Sequence, residues 1–153
     1  MYRAPLRDMQ FVLHELLGDD RLARFYSDVD YSGELADSVV EEAAKFGENV
    51  LEPLNRPGDV EGARWSPEGV TVPKGLKEAY ASYVEGGWTQ LSVPTHLGGQ
   101  GMPHTLNNAV EEIMFASNMA FYLGTSLARG AVEAIAESGS GEAVQPFVEK
   151  LVS

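Results

Sequence analysis

Apolar residues recur at helical spacing along most of the chain. The longest run lies between about Ser32 and Leu54, where apolar residues follow one another every three or four positions, the spacing of one face of an amphipathic helix. That face consists of Leu35, Val39, Ala43, Phe46, Val50 and Leu54. Ala36 and Gly47 lie beside it and are small enough to let a second helix approach closely. We predict one long helix here, ended by the Asn55–Gly58 segment.

The same periodicity predicts further helices before and after this one. Pro73 and Pro103 each suit the first position of a helix, and the 59–72 loop has a short hairpin signal at Gly69. The additional helices span about 6–17, 73–85, 103–117, 119–137 and 142–152, with a short helical turn near Leu22 and breaks at Gly18, Gly86, Asn118 and Ser138–Gly141. About six helical segments, with no competing strand pattern, predict an all-α fold, an orthogonal or up-down bundle.

Charged residues are nearly absent from the stretch Trp88–Ala128, where Glu111 and Glu112 are the only two. Average usage would place roughly ten there, at about 25% charged residues. Prolines and glycines interrupt the stretch, and no run approaches the ~20 apolar residues of a membrane span. We therefore expect this neutral stretch to be buried on several sides. The helix that begins at Met119 should be enclosed most completely, because it is apolar over most of its circumference.

Composition narrows the class of protein. The chain has 153 residues, enough for one domain with an ordinary core. It contains no cysteine, which excludes disulfides, cysteine nucleophiles, thiolate zinc sites and iron–sulfur clusters. With 23 acidic against 11 basic residues the formal charge is −12, which disfavours nucleic acids and anionic membranes as partners. The N-terminus lacks the apolar core of a secretory signal, so we expect a cytoplasmic protein.

The three histidines do not form a recognisable catalytic or metal motif. None follows a glutamate by three residues, so the Glu-x-x-His pair of di-iron bundles is absent. We interpret His14 as a structural residue on a helix surface or boundary. His96 and His104 flank the glycine turn Gly98–Gly101, where contact with a ligand is the less favoured interpretation and an ordinary loop position the more favoured one.

Other candidate motifs lack residues that their chemistry requires. Gly124–Ala128 is similar to a nucleophile elbow, but its last glycine is an alanine, no strand precedes it, and no histidine follows it. The turn Gly98–Gly101 is neither a dinucleotide-binding fingerprint nor a P-loop. Glu111 and Glu112 point about 100° apart on a helix, so one of them should meet a partner or water. These residues by themselves predict no catalytic group and no metal site.

Residues 87–153 resemble the N-terminal helical domain of acyl-CoA dehydrogenases. The order and the spacing of several short motifs carry the resemblance over about 65 residues. The motifs are Gly87-Trp88, Leu91-Ser92-Val93-Pro94, Leu97–Met102, Val110-Glu111-Glu112-Ile113, Phe121–Gly124, Ser138-Gly139 and Gln145–Leu151. The first residues, Met1–Leu17, resemble the N-terminal extension of a longer subgroup. The resemblance implies an N-terminal helical extension at 1–30 and the family's N-terminal helical domain at 31–153.

The resemblance implies an enzyme of which this chain is one part. Family members continue into a flavin-binding β domain and a C-terminal helical domain that carries the catalytic glutamate, and neither has a counterpart here. We therefore expect FAD, an acyl-CoA substrate and an electron acceptor for a full-length enzyme, and no FAD, no catalytic residue and no activity for these 153 residues alone. The alternative is a stand-alone, non-catalytic helical interaction module.

The resemblance also implies a substrate-binding wall on the helix after Asn118. Position-by-position matching places five residues on the wall of the acyl pocket: Tyr122, Leu123, Ser126, Leu127 and Gly130. A bulky Tyr122 would shorten the pocket and favour short or medium acyl chains. An equally weighted alternative is that these residues pack against the domains that are absent here. In either case an isolated domain would expose apolar surface, so we expect a homo-oligomer.

Overall fold

The computed structural model describes residues 1–25, 31–138 and 141–152. Most of these residues are helical. The helices are α1 (Leu6–Gln10), α2 (Asp19–Phe25), α3 (Gly33–Phe46), α4 (Glu52–Glu61), α5 (Leu76–Glu85), α6 (His104–Ser117), α7 (Met119–Ser138) and α8 (Gly141–Val152). Segments with π-helical hydrogen bonding, Phe11–Gly18 and Gly47–Leu51, join α1 to α2 and α3 to α4, and Thr95–Leu97 forms a 3₁₀ turn. With joined pieces counted together, the described residues form six helical segments, which confirms the predicted all-α bundle.

The long amphipathic helix is present but extends further than predicted. The expected end at Asn55–Gly58 is wrong, because α4 runs on to Glu61 with Pro57 inside it. Pro57 removes one amide donor, and the carbonyl four residues earlier belongs to Pro53, an exposed residue that water can reach. The helix therefore continues to Gly62, whose φ of 68° ends it.

The start of α5 also differs from the prediction. Pro73 is buried and lies outside the helix, which begins at Leu76 after Gly75 in a left-handed conformation with φ 88°. A Cβ on Gly75 would lie 2.7 Å from Cδ2 of Leu54. Glycine at this position therefore supplies both the backbone turn and the close approach to the long helix.

The hairpin predicted at Gly69 is confirmed. Strands β1 (Arg64–Ser66) and β2 (Gly69–Thr71) are antiparallel and place Trp65 opposite Val70. Both side chains are exposed, Trp65 to 78%. The hairpin therefore adds an apolar projection outside the helical bundle.

The core forms where α3 packs against α1 and α6, while α6 packs against α7 and α7 against α8. A Cβ on Gly47 would lie 2.9 Å from Cγ2 of Ile113, so the small residue allows the close helix approach that the sequence predicts. The most buried large side chains of the core are Val40, Leu51, Leu106, Ile113 and Met114. A smaller cluster brings Val93 and Val132 against Val148 and Val152.

The neutral stretch Trp88–Ala128 is only partly enclosed. Its first half supplies buried residues such as Leu91 and Leu106, as expected. The prediction that α7 is enclosed on most sides is wrong for its first three turns, because Leu123 is 55% and Leu127 71% exposed. No described element of the chain covers that face. In the part of the chain that the structure describes, no helix combines the length and apolarity needed to cross a membrane.

Candidate functional site

An exposed apolar stripe runs along α7. It consists of Met119, Leu123, Leu127 and Gly130, which follow one another at intervals of four, four and three residues and so share one helix face. Met119 is 63% exposed. A Cβ on Gly130 would meet no atom within 4 Å, so the space above this glycine is open. We call these four residues the α7 stripe.

The structure separates the five residues that the resemblance assigned to the acyl pocket. Leu123, Leu127 and Gly130 lie on the α7 stripe. Ser126 lies at its edge, half-buried, with its hydroxyl donating a hydrogen bond to the Leu123 carbonyl at 3.3 Å. Tyr122 points away from the stripe into the core and is 4% exposed. The split follows from the helix itself, because adjacent residues differ by about 100° in direction.

Tyr122 packs behind the stripe among other aromatic rings. Its ring meets Phe115 edge-on at a centroid distance of 4.7 Å and Tyr83 at 6.2 Å. Its hydroxyl lies 3.4 Å from Oε1 of Glu111, to which it donates. Burial raises the pKa of Tyr122, and the neighbouring Tyr83 and Glu111 raise it further. The side chain is therefore a neutral support for α7 throughout the physiological pH range.

Glu111 finds the partner that the sequence left open. Its Oε1 accepts hydrogen bonds from Nε of Arg129 and from Nδ2 of Asn107, each at 3.0 Å. Arg129 also donates from Nη1 to Glu133 at 2.8 Å, while Glu112 is exposed. The Glu111–Arg129 pair joins α6 to α7 and points away from the stripe. Sequence reasoning missed Arg129 because the two residues lie on different helices.

The two loop histidines do not converge with other candidate ligands. His96 is exposed, and Nδ1 of the exposed His104 lies 3.9 Å from Glu133. Within residues 1–25, 31–138 and 141–152, no group of three or more histidine, aspartate or glutamate side chains is arranged to hold a metal ion.

Two adjoining apolar grooves lie beside the first half of the stripe. One, of about 850 Å³, lies between the end of α4, the 72–76 segment and α7, and includes Met119 and Leu123. The other, of about 490 Å³, lies between α5, α7 and α8, and includes Gly124. Val72, Leu76 and Ala120 line both grooves. The first half of the stripe therefore belongs to a broader apolar face that the helical periodicity alone did not indicate.

The backbone amides of the Gly98–Gly101 turn form hydrogen bonds within the chain. The amides of Gly99, Gln100, Gly101 and Met102 donate to the carbonyls of Pro94, Gln90, Val93 and Leu91, respectively. A Cβ on Gly99 would overlap the Val93 carbonyl. Because these amides already have acceptors, the turn does not fit a phosphate-bearing cofactor such as FAD. Its glycines allow the loop to pack against the residues before it.

Comparison with known proteins agrees with this fold. Residues 33–153 match the family model described as acyl-CoA dehydrogenase, N-terminal domain. The chain is 33% identical over 154 residues to 3-methylmercaptopropionyl-CoA dehydrogenase of Ruegeria pomeroyi, covering 99% of this chain and 26% of that protein. It is 28% identical over 126 residues to the broad-specificity linear acyl-CoA dehydrogenase FadE5 of Mycobacterium tuberculosis, covering 80% and 20%. The chain thus spans about a quarter of one relative and a fifth of the other.

Proposed function

The chain belongs to the acyl-CoA dehydrogenase family, and we propose that it acts as the N-terminal helical domain of an FAD-dependent enzyme that oxidises an acyl-CoA between its α and β carbons. In this proposal the domain supplies one wall of the acyl pocket and no catalytic group. The substrate is an acyl-CoA thioester, and an electron acceptor reoxidises the enzyme.

The observation that carries the proposal is the α7 stripe. Leu123 and Leu127 are large apolar side chains on a regular helix, and both are more than half exposed. Exposed apolar residues that share one helix face mark a surface that binds an apolar ligand or another protein surface. A rigid, uncharged helix face is well suited to contact an alkyl chain, since it offers contact area and no competing charge.

The polar network behind α7 supports the same role. Glu111 and Arg129 fix α7 against α6, while Tyr122 fills the space between the helices. These contacts hold Leu123 and Leu127 outward in a set orientation. We propose that Leu123, Ser126, Leu127 and Gly130 form the wall itself, and that Tyr122 shapes the wall from behind.

FAD would be held by parts of a longer protein. The amides of the Gly98–Gly101 turn already donate to carbonyls within the chain. The turn is therefore unsuited to bind the pyrophosphate of FAD, and no flavin contact is assigned to these residues. When bound, the flavin supplies the acceptor for the hydride that leaves the substrate. The 153 residues themselves would bind and orient the acyl chain and exclude water from it.

The first experiment determines the gene sequence after the Ser153 codon. An in-frame flavin-binding β domain and a C-terminal helical domain are expected. A stop codon directly after Ser153 would overturn the proposal in favour of a stand-alone interaction module that uses the α7 stripe to bind a protein. The purified 153-residue protein should be colourless and unable to reduce a dye with acyl-CoA. A yellow, active preparation would contradict the assigned role.

A pair of matched glycine variants tests the wall in the full-length enzyme. Gly130→Leu places a side chain on the stripe, and Gly124→Leu places the same side chain in the neighbouring groove. A Cβ at either glycine meets no atom within 4 Å, so the domain should tolerate both changes. Gly130→Leu should lower kcat/KM for long acyl-CoAs by about tenfold or more, since a single methylene in an apolar pocket is worth about 1–3 kcal/mol, and short substrates should be unaffected. Equal chain-length profiles for the two variants would refute the wall assignment.

A further inference from the structure

His14 lies between two carboxylates that belong to different parts of the chain. Its Nδ1 lies 2.9 Å from both carboxylate oxygens of Asp19, and its Nε2 lies 2.8 Å from Oδ1 of Asp37. Asp19 begins α2, whereas Asp37 lies on α3. One imidazole ring therefore bridges the N-terminal segment and the long helix of the bundle.

This geometry requires a particular protonation state. A neutral imidazole carries one N–H donor and one acceptor nitrogen, and an ionised carboxylate can only accept. A neutral His14 would satisfy one carboxylate and point a lone pair at the other. Only the doubly protonated ring donates to Asp19 and Asp37 at the same time, so the bridge as it stands requires the imidazolium.

The Asp19 carboxylate lies at the N-terminal end of α3. A Cβ on Gly33 would lie 2.7 Å from Oδ2 of Asp19, so the carboxylate lies directly against the first residue of α3. The Tyr31 hydroxyl donates to Oδ1 of Asp19 at 3.4 Å. A negative charge beside the first turn of a helix is favourable because that end carries partial positive charge. In the described residues, Asp19, Asp37 and Tyr31 are the titratable groups that face His14.

The bridge crosses the limit of the matched family domain. The family model begins at residue 33, so Asp37 lies inside it, whereas His14 and Asp19 lie in the preceding segment. That segment also packs Met9, Leu13 and Leu22 into the core. The contact between 6–25 and α3 thus combines apolar burial with one polar bridge that depends on a proton.

We propose that His14 is a proton-dependent latch that holds the N-terminal segment, residues 6–25, on α3. With His14 protonated, both carboxylates are bound and the segment is closed. When His14 loses its proton, one carboxylate loses its donor, and the segment opens locally more often. The apolar contacts keep the rest of the bundle folded in both states.

The pH range follows from the direction of the shift. The hydrogen bonds to Asp37 and Asp19 raise the pKa of His14 above its usual value of 6.5. A raised pKa in the closed state means that the latch contributes its full stability below about pH 6.5. That contribution is lost as the pH rises through the raised pKa of His14. Alkaline conditions therefore favour the open segment.

The N-terminus makes two other polar contacts with the long helix, and the experiment has to separate them from the His14 bridge. Glu48 accepts a hydrogen bond from the Ala4 amide at 3.0 Å and pairs with Arg3. The Ala4 amide and Arg3 lower the pKa of Glu48, so this carboxylate is ionised throughout the relevant range. The terminal amine of Met1 lies 3.5 Å from Oε1 of Glu52 and forms a further ion pair of the N-terminus. A variant at His14 distinguishes the latch from this amine.

The test uses the 153-residue protein and combines proton NMR with hydrogen exchange between about pH 5.5 and 9, a range that covers the usual histidine pKa and the values above it. The His14 ring signal should titrate above 6.5, the usual histidine value. Amide protection of residues 6–25, corrected for intrinsic exchange, should fall with rising pH by up to about tenfold for each unit by which the His14 pKa is raised. Protection of α6 should change little.

Variants separate the latch from general effects of pH. His14→Gln should lower protection of 6–25 and abolish its dependence on pH, and Asp37→Asn should reduce that dependence while leaving His14 able to titrate. His96→Gln should behave as the unmodified chain. If His14→Gln kept the same pH dependence, another group would be responsible and the latch would be refuted. A His14 signal that titrates at or below the usual histidine value of about 6.5 would overturn it as well.

Discussion

The carboxylate of Glu111 on α6 and the guanidinium of Arg129 on α7 form a hydrogen-bonded ion pair at 3.0 Å. The Glu111 side chain is 15% exposed and that of Arg129 33%. Because Glu111 is largely withdrawn from water, it depends on Arg129 and Asn107 for its solvation. The pair therefore fixes the rotation of α7, and with it the direction of the α7 stripe.

Removing one member of this pair should destabilise the domain. Arg129→Leu leaves the Glu111 carboxylate poorly solvated, and we expect a loss of about 2 kcal/mol, between the values for surface and buried pairs. Urea unfolding followed by circular dichroism measures the loss. Glu112→Gln is the matched control, since Glu112 is the exposed neighbour. The double variant Glu111→Leu/Arg129→Leu should recover part of the stability. A double variant that adds both single losses in full would contradict the coupling.

Two glycines of the neutral stretch should respond in opposite directions to alanine. Gly99→Ala forces a methyl group against the Val93 carbonyl, and overpacking of this kind costs about 1–3 kcal/mol. Gly124→Ala adds a methyl group in open space within α7, and helix propensity should raise stability by about 0.5–1 kcal/mol. Thermal unfolding of the two variants measures both effects. A Gly99→Ala variant as stable as the unmodified chain would contradict the packing of the turn, and a destabilising Gly124→Ala would contradict the open position on α7.

Exposed apolar surface should make the isolated domain self-associate. Leu123 and Leu127 are the exposed leucines of the α7 stripe, and burying them against a second copy removes them from water. We expect the 153-residue protein to form dimers or larger species as its concentration rises, measured by light scattering after size-exclusion chromatography. Leu123→Glu/Leu127→Glu should restore the monomer. Leu16→Glu is the control, because Leu16 is also exposed but lies on the N-terminal segment. A monomer at every concentration would contradict the expectation.

The helices and most of their boundaries could be predicted because the signals act over a few neighbouring residues. Asn118 is an example: its Oδ1 accepts a hydrogen bond from the Phe121 amide at 3.0 Å and caps the start of α7. Its Nδ2 also donates to the carbonyl of Leu51 at 3.1 Å. That second contact joins residues far apart in sequence, and no local pattern predicts it.

The errors at Pro57 and Pro73 have the same origin. Proline is a strong local signal, but the helix continues past Pro57 because water can reach the freed carbonyl of Pro53. The start of α5 is set instead by Gly75, which lies against Leu54 of another helix. The candidate site shows the same division. The helix that carries it was identified from the sequence, whereas the partner of Glu111 and the bridge at His14 depend on residues from other helices.

The order of residue types determined which segments are helical and which faces of those helices are apolar. It did not determine which apolar face is covered. Leu106 and Leu123 are both leucines on helices of the neutral stretch, yet Leu106 is fully buried and Leu123 is more than half exposed. Burial depends on the element that lies opposite, and that element comes from a distant part of the chain. Only the tertiary structure therefore distinguishes the residues that build the core from those that remain available for binding.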